Sequence, residues 1–118
     1  MSRSTRLRIL DIIGKIEAAK TAESILDEFE VEDRDISVPF DAILYSLLVI
    51  GEAVKALAPE IKGSRTDIPW SAIAGLRDIL AHEYFAVNRE VIHHTLDEPL
   101  DQLLSACREL LESLPNGR

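Results

Sequence analysis

Apolar residues in this chain recur at steps of three and four, and that period constrains the fold more than any other feature. Between Arg6 and Ala19, the residues Ile9, Ile12, Ile13, Ile16 and Ala19 trace a single stripe along a helix. From Val38 to Leu57, Phe40, Ile43, Leu44, Leu47, Leu48, Ile50, Val54 and Leu57 cover more than one face, which predicts a central, heavily buried helix. Only five prolines and five glycines interrupt the 118 residues. β-Branched and aromatic side chains are not gathered into short alternating runs, so a sheet is disfavoured.

Punctuation residues divide this pattern into elements. Thr21 is read as the cap of a second short helix bearing Ala22, Ile25, Leu26 and Phe29, and residues 30–35 as a charged loop. Pro39 suits the first turn of the central helix. The stretch from Pro59 to Asp67 reads as a connecting loop, after which Pro69 opens a helix carrying Trp70, Ile73, Leu76, Ile79 and Leu80. Asn88 is the expected cap of a final helix reaching about Leu114, with Pro99 as a kink or break. Residues 115–118 read as a frayed tail. The length suits one domain, 1–118, and the fold class expected is all-α, with four main helices packed as a bundle.

Composition narrows the function classes. The longest apolar run, Ala42 to Ile50, is about half of what a membrane span needs, so no membrane role is expected. No segment resembles a secretory leader, and a cytoplasmic location is expected. Cys107 is the only cysteine; it can form no internal disulfide and lacks the spacing of a metal site. The formal net charge of −8 repels nucleic acid at long range, so chemistry on RNA would have to rest on a local arrangement of cations.

The polar residues that could carry chemistry cluster in Arg77-Asp78-Ile79-Leu80-Ala81-His82-Glu83-Tyr84-Phe85. A histidine titrates near neutrality and can pass a proton. A guanidinium grips phosphate oxygens and stabilises charge that grows on them. Together they suit phosphodiester cleavage with neither metal nor cofactor. The same residues also fit an ordinary helix, with Arg and Asp in surface ion pairs and a histidine near the C-terminus. Geometry adds a constraint. At about 100° per residue, Arg77 and His82 lie roughly 140° apart, whereas Asp78 and His82 are one turn apart. Either the helix ends or bends near His82, or a second copy of the chain completes the site.

Arg77-x4-His82-x-Tyr84 resembles the motif of HEPN domains, in particular the HepT-like toxins paired with a minimal nucleotidyltransferase. The resemblance extends to Leu44-Tyr45 through Ile50-Gly51-Glu52-Ala53, to Ile68-Pro69-Trp70 with Ile73-Ala74-Gly75-Leu76-Arg77-Asp78, and to His82 through Asn88. It spans about Leu7 to Leu111. It implies a HEPN-like, up-and-down bundle of four or five helices that dimerises through the motif-bearing helices. It further implies the toxin of a type VII-like toxin–antitoxin pair: a ribonuclease in which the RNA's own 2′-hydroxyl attacks the adjacent phosphate. His82 would then be general acid or base, Arg77 would stabilise the transition state, and Asp78 would orient one of them. Tyr84 matches the tyrosine to which the nucleotidyltransferase antitoxin transfers AMP, silencing the toxin. The rival reading is a non-catalytic dimer that serves as a partner or docking subunit of a nucleotidyltransferase, and the acidic net charge favours it.

Other residues need an account of their own. Glu52 interrupts an apolar helix; a buried carboxylate is costly unless paired, so it is expected to meet a cation or hydrogen-bond donors as a core or dimer-seam residue, with a direct catalytic or supporting role at the site as the alternative. His93 and His94 are adjacent and point about 100° apart, so they suit surface positions better than a metal site. Trp70, next to Pro69, is expected to anchor the core, with stacking on a base as the alternative. Lys55, Lys62, Arg65 and Arg89 are read as the basic rim of the motif region, although scattered solvated charges account for them equally well.

Overall fold

The computed structural model describes residues 4–28, 37–83 and 98–114, and among them the regular structure is entirely helical. The helices are α1 (Thr5–Glu28), α2 (Ser37–Ala56), α3 (Pro59–Gly63), α4 (Trp70–Glu83) and α5 (Glu98–Ser113). Ser4 starts α1: its hydroxyl accepts the backbone N–H of Leu7 at 3.1 Å, satisfying one of the orphan donors of the first turn. Ile9, Ile12 and Ile16 are fully buried, and Ala19 and Ala22 continue the same stripe.

That continuity corrects one expectation. Thr21 caps nothing, because α1 runs unbroken from Thr5 to Glu28. The buried stripe passes through residue 20 without a change of phase, and neither glycine nor proline stands there to stop the helix. The stretch Pro59 to Asp67 is likewise more than a loop. Its first residues form α3, with Pro59 supplying the fixed φ of a first helical position and Ala58 extended before it.

α2 is the hub, packing against α1 on one side and α4 on another, while α5 closes against α1. Ile43, Leu44, Leu47, Ile50, Val54 and Leu57 of α2 enter one core with the α1 isoleucines, Ile73 and Leu80 of α4, and Leu100, Leu103 and Leu110 of α5. Each such side chain withdrawn from water contributes on the order of 1.5–3 kcal/mol. Pro39 is buried and lies in the first turn of α2, as its position implied. Lys20 of α1 and Asp101 of α5 form an ion pair across their seam.

Trp70 anchors the start of α4. It is buried, and its indole N–H donates to the Arg65 carbonyl at 2.8 Å. The Arg65 guanidinium in turn bonds both Asp67 oxygens, at 3.0 and 2.9 Å, and reaches Glu109 on α5. The hydrogen bond to Asp67 holds the guanidinium protonated well above its ordinary range, and the same bond holds the Asp67 carboxyl below the usual carboxylate range. This cluster ties the α3–α4 connection to α5 and fixes where α4 begins. Pro99 stands in the first described turn of α5; the expected cap Asn88, the charged loop at 30–35 and the tail at 115–118 lie outside the described residues.

Candidate functional site

Two helices build the site, and a glycine lets them meet. Gly51 on α2 is buried, and a Cβ there would stand 2.9 Å from the Arg77 backbone nitrogen, 3.1 Å from the Arg77 Cβ and 3.2 Å from the Ile73 carbonyl oxygen. No other residue could occupy position 51 without pushing α4 away, since backbone atoms cannot swing aside. The glycine therefore sets the depth at which Arg77 is seated.

The next residue captures the arginine's head group. Glu52 Oε2 lies 3.0 Å from Arg77 Nε, and Arg77 Nη1 donates to Asp78 Oδ1 at 3.2 Å. One carboxylate from α2 and one from α4 thus hold two nitrogens of the guanidinium. The Arg77 side chain remains 43% exposed. Among the described residues no ion pair or hydrogen bond of Nη2 is seen.

Glu52 differs from its expectation in one respect. It meets a cation, as its position demanded, but its side chain is 63% exposed, not buried. The apolar residues of α2 do not all face the core: Tyr45 is 59% exposed and Leu48 and Val49 are only partly covered, so a charged residue on that side costs little.

The α4 backbone is helical through Glu83, so Arg77, Asp78 and His82 share one unbroken helix. Asp78 and His82 are one turn apart, whereas the positions of Arg77 and His82 diverge by about 140° around the axis. The helix does not end between them. The side chain of His82 and all of Tyr84, Phe85, Arg89, His93 and His94 lie outside what is described. Of the expected basic rim, Lys55 is exposed and Lys62 partly so, but Arg65 is committed to Asp67 and Glu109. Among the described residues no three His, Cys, Asp or Glu side chains are grouped to hold a metal ion, and no helix is long and apolar enough to cross a membrane.

Comparison with known proteins identifies the family. A family model described as Ribonuclease HepT-like matches residues 9–110. The chain is 32% identical to a protein of Thermococcus cleftensis named as a probable ribonuclease HepT, over 87% of this chain and 92% of that one. It is 42% identical to a candidate RNase of Caldanaerobacter subterraneus over 60% of this chain and 63% of the relative, so the match spans somewhat under two thirds of that protein. A candidate RNase of Methanocaldococcus jannaschii is 32% identical over 80% of this chain and 74% of its own length. No solved structure matches.

Proposed function

The chain belongs to the HepT-like ribonuclease family, and we propose that it is a metal-independent endoribonuclease, the toxin of a toxin–antitoxin pair, working as a homodimer. One observation carries this reading above others: Arg77 is seated by Gly51, gripped by Glu52 and Asp78, and still exposes 43% of its side chain. A structural arginine has no need of an open nitrogen; one that receives a phosphate does.

The chemistry follows from the residue types. The 2′-oxygen of a ribose attacks the adjacent phosphorus, the bond from phosphorus to the 5′-oxygen breaks, and a 2′,3′-cyclic phosphate and a free 5′-hydroxyl result. A base removes the 2′-hydroxyl proton and an acid delivers one to the departing 5′-oxygen; His82 serves as one of the two. Arg77 stabilises the added negative charge on the phosphoryl oxygens as the fifth bond forms. Asp78 and Glu52 hold the guanidinium at a fixed angle, Asp78 from the same helix and Glu52 from α2. The divergence of Arg77 and His82 on one unbroken helix supports a two-fold arrangement in which α4 of a second copy completes each site. A minimal nucleotidyltransferase would silence the enzyme by placing AMP on Tyr84, adding bulk and negative charge where a phosphate must bind.

Incubating the purified, unmodified protein with RNA in EDTA is the test. Products ending in 2′,3′-cyclic phosphate, lost on His82→Ala or Arg77→Ala, are expected. Intact RNA at micromolar protein would favour the docking-subunit reading, which the net charge of −8 also suits.

A further inference from the structure

A groove leaves the site along the seam between α1 and α2. Two depressions, of about 240 and 620 Å³, share Asp11 and Val49 as lining residues and so lie side by side along it. At one end it is lined by Arg8 and Glu52, and Glu52 is the residue paired with Arg77. At the other end it is lined by Leu10 and Lys15. There the Lys15 ammonium lies 5.0 Å from the centre of the Tyr45 ring, which is 59% exposed.

We propose that this groove holds the single-stranded RNA flanking the bond to be cut, with Arg8 and Lys15 as phosphate contacts and Tyr45 as a base platform. The inference rests on the ribonuclease reading and extends it to a strand path. Arg8 and Lys15 are seven residues apart on α1, about 10 Å along the axis, a length that about three stacked nucleotides cover at about 3.4 Å each. Of the carboxylates in the groove, Glu52 is engaged by Arg77, so its charge is offset there. A half-exposed aromatic ring beside a cation is the combination that binds single strands through stacking and charge together. In a chain with a formal charge of −8, a strand needs such a local path to approach the site at all.

The probe is a fluorescent 2′-O-methyl oligoribonucleotide twelve residues long, which cannot be cleaved because its 2′-oxygens carry no proton. Its affinity is read by anisotropy across a salt series. Paired Arg8→Gln and Lys15→Gln changes should weaken binding about tenfold or more and flatten the slope of log K against log salt by about 1.4, that is, about 0.7 per lost phosphate contact. Tyr45→Ala should weaken binding about tenfold with the slope unchanged. Arg108→Gln, which removes an exposed cation of α5, is the matched control and should bind as wild type does.

Groove variants that bind normally while the wild type cleaves RNA would overturn the strand path and leave the ribonuclease reading intact. So would an equal loss in Arg108→Gln, which would mean general charge and no path. A changed molar mass in light scattering, with affinity unaltered, would mark the groove as a protein interface and overturn the proposal. A wild type that neither binds nor cleaves would remove the ribonuclease reading, and the strand path with it.

Discussion

Gly51 and Arg77 meet closely enough that a single methyl group on Gly51 would stand 2.9 Å from the Arg77 backbone nitrogen. The contact joins the hub helix to the motif helix at Arg77, the residue proposed to bind the phosphate. Gly51→Ala gains about 0.5–1 kcal/mol of helix propensity but overpacks the seam at about 1–3 kcal/mol. We expect a net loss of about 1–2 kcal/mol in chemical denaturation and a larger proportional loss of cleavage. An unchanged denaturation midpoint would mean that α2 and α4 are farther apart than described.

Glu52 tests position separately from folding. An exposed ion pair contributes at most about 1 kcal/mol to stability, so Glu52→Gln should fold normally. Without the carboxylate the guanidinium can swing, and we expect kcat to fall about 10- to 100-fold with little change in KM. Glu52→Asp should recover part of the rate. A variant with wild-type kcat would remove Glu52 from the positioning of Arg77.

Much of this fold is legible in sequence, and the exceptions have physical causes. The stripes of α1 and α2 could be read because each buried position is a large aliphatic residue at helical spacing. The continuation of α1 past Thr21 was not, since a threonine favours a cap and tolerates a helix interior alike. The seating of Arg77 is legible only in part, since the pattern calls for a partner to Glu52 without identifying it. Gly51 and Glu52 lie about 25 residues earlier in the chain, and only the pairing of α2 with α4 brings them to the motif. The same holds for Arg8 and Lys15, which nothing in their own helix marks as different from solvated charges. The motif itself is visible because its residues fall within eight consecutive positions of the sequence.

Cys107 yields a prediction about alkaline stability. It is fully buried, and burial pushes its thiol up to about 12 from an ordinary value near 9.0. The folded state therefore holds the proton more tightly than the unfolded state does. Its contribution is intact below about pH 9 and is lost as pH rises from there toward about 12, at up to about 1.4 kcal/mol per pH unit. Measured against Cys107→Ala, which cancels the other titrating groups, the wild type should lose relative stability above pH 9 and not below it. Parallel stability curves across that range would show that the thiol is accessible to water.

Tyr84 follows directly on the last described residue of α4. In the proposed silencing step its phenol oxygen attacks the α-phosphorus of ATP, the bond to the bridging oxygen of pyrophosphate breaks, and the phenol proton leaves to a base. Pyrophosphate departs, and an AMP ester remains on the ring. Tyr84→Phe deletes only the attacking oxygen. The variant should fold and assemble as the wild type does, and should show no mass gain of one AMP after incubation with ATP and a minimal nucleotidyltransferase. Cells expressing it beside that partner should then suffer RNA cleavage that the wild-type pair suppresses. Because Gly51 and Glu52 seat Arg77, the variant's own Arg77 should remain competent to bind phosphate. An AMP-sized mass gain on Tyr84→Phe equal to that on the wild type would place the acceptor elsewhere.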